Sequence, residues 1–193
     1  DYSSLRSTGV EKKTTSNSAL TTEAGGTVTA QVRLTSMPLS TVTVTPTSSD
    51  NGEGQVSPDT LSFTNKSWNT YQTLTITGVD DNVTDGTQSY QIDFKLSTED
   101  TKYSSLSVSS LSMSNKDDEV ASVVVGTISG NTTESGGTST FTVKLNSQPE
   151  ADVTISVSSN NTDEGTVNPS SLGFSSSNWN TNQTVTVTGV DDS

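Results

Sequence analysis

The chain has 193 residues, with 22 acidic against 9 basic side chains, a net charge of −13 and only 27% hydrophobic residues. It contains neither cysteine nor histidine, which excludes disulfides, thiol nucleophiles, zinc sites built on those residues and histidine-based catalytic triads. The acidic balance argues against nucleic acid and anionic membranes as partners, and no apolar run is long enough to cross a membrane.

Alternating hydrophobicity predicts a chain made of strands. In residues 28–34 (VTAQVRL) the even positions are apolar and the odd positions are polar, as in a half-buried strand. Between Val108 and Leu111 the alternation slips by one residue, which predicts a β-bulge in the last strand of the first repeat. No stretch has a period of 3.6, so we expect essentially no helix. The same alternation occurs at 41–45, 73–77, 90–96, 141–145 and 184–188.

A long internal repeat sets the domain organisation. Residues 21–82 and 132–193 align without a gap at an offset of 111, with 31 identical residues in 62 positions. Each repeat contains about seven predicted strands, the number in an immunoglobulin-like sandwich. Trp68 and Trp179 each precede a strand, where we expect them to plug one end of the core. We therefore predict an all-β chain of two tandem immunoglobulin-like β-sandwiches, the second truncated at its C-terminus.

The repeat boundaries divide the chain into three parts. We predict a tail of a preceding repeat or a linker over 1–9, the first sandwich over 10–118 and the second over 119–193. Residues 83–118 have no copy, so the second sandwich is expected to lack its last two strands. Three explanations of the missing strands are open: the natural chain continues, cloning or proteolysis set the boundary, or another molecule completes the domain. Residues 2–5 (YSSL) repeat 103–106, which makes them a candidate strand donor to another copy and so a route to a filament; a four-residue coincidence is the alternative.

Several short motifs, taken in order, carry a family resemblance. They are 21–26 (TTEAGG) before a strand, 78–81 (GVDD) after one, 85–87 (DGT) leading into Tyr90-x-Ile92-x-Phe94, and 115–119 (NKDDE) at the end. This order resembles the Calx-β family, and most closely its bacterial repeats in large secreted and surface proteins. The resemblance implies calcium held by acidic residues, with the mid-domain ligand left open between Asp50 and Glu53. The implied ligands are Glu23, Asp80, Asp81, Asp85, Asp117, Asp118 and Glu119.

Strand order gives an independent argument for grouping these acids. If seven strands run alternately up and down, with 55–57 and 61–64 as one broken strand, the acidic loops all lie at one pole. Clustered carboxylates repel one another unless a cation or solvent spreads the charge, and calcium accepts six to eight oxygen ligands. The alternative is that these acids only form turns. The second repeat has no closing acidic run, so its case is weaker; its acids are Glu134, Asp163, Glu164, Asp191 and Asp192.

These features predict a structural rather than a catalytic role, because carboxylate pairs are the only catalytic groups left. We expect an extracellular or cell-surface segment of a bacterial protein or fibre that acts as a calcium-stiffened spacer. Its expected partners are neighbouring repeats and, by strand donation, other copies, but neither nucleic acid nor membrane. The alternative is an adhesin module that binds glycan or protein through loops at the opposite pole, around Trp68 and Asp100.

Overall fold

The computed structural model describes residues 7–14 and 18–191, and it separates them into two compact units. The first unit holds the described residues up to Asp81 together with Asp85–Asp118. The second holds Asn82–Thr84 and the described residues from Glu119 onward. Nearly all regular structure is β, as the alternation predicts, and among the described residues no helix is long and apolar enough to cross a membrane.

The first unit is built from two β-sheets. The elements of its described residues are β1 (Val10–Thr14), β2 (Leu20–Thr22), β3 (Thr27–Leu34), β4 (Val42–Ser48), β5 (Gly54–Ser57), β6 (Leu61–Phe63), β7 (Gln72–Gly78), β8 (Gln88–Ser97), α1 (Thr101–Ser104) and β9 (Leu111–Lys116). One sheet has the order β1-β3-β7-β5 and the other the order β2-β9-β8-β4-β6, and all neighbours are antiparallel except β2 and β9.

One apolar cluster, to which both sheets contribute, forms the core of this unit. The predicted inward positions of β3 are buried, from Val28 to Leu34, while the alternate positions stay partly exposed. Burial of a valine, leucine or isoleucine side chain of this kind contributes roughly 1.5–3 kcal/mol. The core also includes Tyr90, Ile92 and Phe94 of β8, so the alternation in that strand predicts the correct face.

The stretch 54–63 forms two strands in different sheets, β5 beside β7 and β6 beside β4. The strands of this unit therefore do not form a single sheet in chain order. Strand β5 is antiparallel to β7, and β6 is antiparallel to β4. Because β4 and β7 run in the same direction, β5 and β6 also run in the same direction and cross the unit once, changing sheet on the way. The acidic loops consequently still lie at one end of the unit.

Two details near the end of the first unit differ from expectation. The last strand begins at Leu111, so Val108 lies before it and the predicted bulge within the strand is wrong. The slip in alternation instead marks the end of an irregular segment. The chain also forms one helical turn at Thr101–Ser104, which buries Tyr103.

The second unit has two smaller sheets. The strands in its described residues are β10 (Val123–Val125), β11 (Thr138–Leu145), β12 (Val153–Ser156), β13 (Gly165–Asn168), β14 (Ser171–Phe174) and β15 (Gln183–Gly189). One sheet has the order β10-β11-β15-β13, and the other is formed by β12 and β14. Val83, from the 82–84 segment, pairs with Gln148 in this unit.

Strand pairing in the two units follows the sequence repeat. In both units the tryptophan is packed against the core and its carbonyl accepts a 2.8 Å hydrogen bond from a leucine amide, Leu34 with Trp68 and Leu145 with Trp179. Register pairs that match at the offset of 111 are Thr27↔Thr77 with Thr138↔Thr188, Gly54↔Gly78 with Gly165↔Gly189, and Val42↔Phe63 with Val153↔Phe174.

The proposed donor segment 2–5 lies outside the described residues.

Candidate functional site: an acidic pole in the first unit

Strand ends place seven acidic residues at one end of the first unit, which we call the acidic pole. One follows β2, one precedes β5, two follow β7, one precedes β8 and two follow β9. The acidic pole consists of Glu23, Glu53, Asp80, Asp81, Asp85, Asp117 and Asp118.

Three of these carboxylates form a tight group. Glu53, Asp81 and Asp85 each offer an oxygen within 4.8 Å of the others. Of the two mid-domain candidates, Glu53 is the one that lies close to Asp81 and Asp85. Asp50 instead turns its Oδ1 toward its own loop and accepts a 2.9 Å hydrogen bond from the Gly52 amide.

The other predicted acids of the pole form two pairs. Glu23 and Asp117 each offer an oxygen within 4.8 Å of the other, as do Asp80 and Asp118. Glu23 is only 3% exposed, and its Oε2 accepts a hydrogen bond from the Asp118 amide at 3.3 Å. Glu119, the remaining predicted ligand, is partly buried and belongs to the second unit.

Backbone geometry brings the loop after β7 against the end of β9. The Gly86 amide donates a 2.6 Å hydrogen bond to Asp117 Oδ2. Gly86 has a φ of +78°, in the left-handed region that glycine adopts without strain. This glycine therefore lets the loop turn so that its amide faces a carboxylate.

A buried polar network supports the three-carboxylate group from within the core. Asn115 is fully buried, and its amide donates to Glu53 Oε2 at 3.4 Å and to the Val79 carbonyl at 2.9 Å. Its Oδ1 accepts from the Thr21 hydroxyl at 3.0 Å, which also lies 3.0 Å from the Tyr90 hydroxyl. The strand pattern alone does not predict this network, although a polar residue at the inward position 115 of β9 is a signal for it.

The electrostatic environment of Glu53 disfavours its ionised form. Burial raises the pKa of Glu53 above its ordinary value; the hydrogen bond from Asn115 acts in the opposite direction, and the charges of Asp85, Asp50 and Asp81 raise the pKa further. Asp85 Oδ1 is shielded from solvent and has no hydrogen-bond partner among the described residues. A carboxylate oxygen in that position is poorly satisfied without a cation or a water molecule.

The donor set therefore fits a hard divalent cation. Glu53, from the loop between β4 and β5, and Asp81 and Asp85, from the loop between β7 and β8, supply only oxygen ligands, and calcium prefers oxygen ligands in flexible geometry. Such a cation would also offset the repulsion from Asp85 and Asp81, which adds to burial in raising the pKa of Glu53.

The second unit lacks a comparable group among its residues described up to 191. Glu134, the counterpart of Glu23, is exposed. At the offset of 111, Asp85, Asp117 and Asp118 have no counterpart within the 193 residues of this sequence. Asp192 lies outside the described residues.

At the other end of the first unit, Asp100 has a structural environment. It is 4% exposed, and its two oxygens accept hydrogen bonds from the Leu39 amide at 2.7 Å and the Lys102 amide at 3.0 Å. These hydrogen bonds hold the pKa of Asp100 below its ordinary value, and the bond from the Leu39 amide contributes most. Both oxygens are thus engaged in capping α1 and fixing the loop before β4.

No family model and no curated protein matches this chain. Among solved structures, it is similar to WR4, an MSP family member of C. elegans, with 12% identity, a TM-score of 0.36 and coverage of 57% of this chain and 96% of that chain. It is also similar to a CsuC–CsuE chaperone–tip adhesion subunit complex of Acinetobacter baumannii, with 12% identity, a TM-score of 0.39 and coverage of 95% and 88%. A chaperone–tip adhesin complex of CFA/I fimbriae gives 10% identity, a TM-score of 0.36 and coverage of 94% and 83%. At these identities and scores, none of the three assigns a family or a function.

Proposed function

We propose that this chain is a structural, non-catalytic segment of an extracellular bacterial surface protein or fibre. It consists of two tandem immunoglobulin-like sandwiches of the Calx-β type. The observation that carries the proposal is the repeat, in which equivalent strands pair in the same register at a constant offset of 111 residues. Gapless domain-length repeats are typical of chains that provide length or stiffness, whereas a binding module usually varies one loop between copies.

We further propose that calcium binds at the acidic pole. Glu53, Asp81 and Asp85 would supply the central ligands, and the pairs Glu23–Asp117 and Asp80–Asp118 would add to the negative field. Support comes from the close approach of three carboxylates and from the shielded oxygen of Asp85. A cation that binds only the folded state stabilises it by about 2.7 kcal/mol at a hundredfold excess over Kd.

The position of the acidic loop in the chain supports a stiffening role. Asp81 and Asp85 belong to the first unit, whereas the three residues between them belong to the second. A cation that fixes Asp81 and Asp85 would therefore also restrict both ends of the segment 82–84. Spacer function then depends on calcium, in keeping with an extracellular location, where that ion is abundant.

Thermal unfolding of the full chain in calcium, in magnesium and in chelator tests the metal. We expect calcium to raise the melting temperature well above the chelator value, and magnesium to have a smaller effect because it requires stricter octahedral geometry. Small-angle scattering under the same conditions tests stiffness, with a narrower distribution of molecular lengths expected in calcium. If neither measurement responds to calcium, the metal part of the proposal is wrong, while the structural role remains to be tested by scattering from chains with added repeats.

A further inference from the structure

The second unit has a partly exposed apolar surface beside β12, which we call the groove and define by Phe141, Val153, Ile155 and Val187. Each of these residues is partly exposed. Their counterparts in the first unit, at an offset of 111, are fully buried. Those counterparts are Ala30, Val42, Val44 and Ile76.

The first unit shows what covers the equivalent surface. There β4 pairs with β6 on one side and with β8 on the other, from Thr43↔Ser97 to Ser48↔Ile92. In the second unit β12 pairs with β14 on the β6 side, and the described residues provide no strand on the other side. The groove is thus the position that β8 fills in the first unit.

A pair of glycines supports this correspondence. A Cβ at Gly54 would lie 2.4 Å from the Tyr90 ring, so the glycine makes room for the β8 aromatic. Its counterpart Gly165 has no neighbour closer than 3.6 Å to the same Cβ position. The second unit therefore keeps the space for an aromatic side chain over Gly165, and no aromatic side chain of the described residues fills it.

We propose that the groove receives a β-strand of the β8 type, with the pattern Tyr-x-Ile-x-Phe-x-Leu, which adds antiparallel to β12. The main chain of that strand would satisfy the free edge of β12, its aliphatic side chains would cover Val153 and Ile155, and its tyrosine would lie over Gly165. Because Phe141 replaces Ala30, the strand meets a larger side chain at that position than β8 does. This inference does not depend on calcium or on the spacer function.

The donor is not β8 (residues 88–97) of a second folded copy. In each copy β8 lies in the interior of its sheet, hydrogen-bonded to β9 and β4. Its release would open the core of the first unit and expose Tyr90, Ile92 and Phe94. The occupant must therefore be an additional segment with the β8 pattern.

Fusion of a second copy of residues 83–118 directly after Ser193 tests the proposal, because it continues the repeat at the same offset. A Trp68→Phe background leaves Trp179 as the only tryptophan, so its fluorescence reports unfolding of the second unit. We expect the urea midpoint of Trp179 to rise by about 1 M or more and the transition to steepen. The matched control carries Ile92→Asp and Phe94→Asp within the appended copy only, and its midpoint should stay at the value of the unfused chain.

Two further measurements separate groove binding from general stabilisation. Hydrogen exchange of the amides in 153–156 should slow in the fused chain and not in the control. Gly165→Ala should cost the fused chain more stability than the unfused chain, because only the fused chain has a tyrosine over that position. An unchanged Trp179 transition, or equal behaviour of the fused chain and its aspartate control, would overturn the proposal.

Discussion

Asn115 joins the core to the acidic pole, since its amide donates to Glu53 Oε2 at 3.4 Å while its Oδ1 accepts from the buried Thr21 hydroxyl at 3.0 Å. Glu53, whose pKa is raised by burial and by the charges of nearby acids, is thus held by a residue that is itself fully buried. The position of Glu53 consequently depends on the packing of β9, and changes in the core should alter the charged site.

Removal of the Glu53 charge should affect stability in opposite directions with and without calcium. The pKa of Glu53 is raised in the folded state, so its ionisation opposes folding at neutral pH and Glu53→Gln should be neutral or stabilising in chelator. In calcium the same change removes a ligand, so most of the calcium-induced rise in melting temperature should disappear. Differential scanning calorimetry under both conditions measures this, with the exposed Asp59→Asn as the charge-matched control.

The pH dependence follows from the same shift. In chelator, stability of the wild type should increase as the pH falls from neutral through the raised folded pKa of Glu53 toward its ordinary value of 4.5. Calcium binding should weaken over the same range because protons compete for the carboxylate. Calcium titrations at several pH values would contradict this account if the affinity did not fall on acidification.

Loss of the Asn115 side chain should destabilise the first unit. Asn115→Ala leaves the Val79 carbonyl without the hydrogen bond from Asn115, and an unsatisfied buried polar group costs about 1–3 kcal/mol. The Thr21 hydroxyl loses Asn115 as an acceptor but keeps Tyr90 and the Ser114 carbonyl. Urea unfolding followed by Trp68 fluorescence in a Trp179→Phe background measures the loss. The exposed Asn69→Ala should have little effect, and equal midpoints for the two variants would show that the network contributes nothing.

The sequence predicts the faces of the strands well but not the partners of each strand. Alternation identifies Val28 to Leu34 and Tyr90 to Phe94 as inward because side-chain direction is a local property of a strand. The change of sheet between Ser57 and Leu61 depends on pairing with β7 and β4, which is not local. For the same reason, the proximity of Glu53, and not Asp50, to Asp81 and Asp85 becomes clear only once β5, β7 and β8 are assembled.

Protonation of Asp100 should loosen the loop that it holds. Its pKa is lowered, so the stability that it contributes is present above its ordinary pKa of 3.8 and is lost as the pH falls through the folded value. Asp100→Ala should therefore lower the urea midpoint at pH 7, and the difference from wild type should shrink in acid. The exposed Asp59→Ala is the control, and a pH-independent difference would mean that the ionised carboxylate is not what stabilises the loop.

Equivalent glycines in the two units should respond differently to the same substitution. Gly54→Ala forces a methyl group to within 2.4 Å of the Tyr90 ring, and overpacking of this kind in a core typically costs about 1–3 kcal/mol. Gly165→Ala meets nothing closer than 3.6 Å, so its effect should stay within about 0.5 kcal/mol. Urea unfolding read from Trp68 for the first variant and from Trp179 for the second, each with the other tryptophan replaced by phenylalanine, compares them directly. Similar losses at both positions would mean that backbone conformation, and not the aromatic ring of β8, requires glycine there.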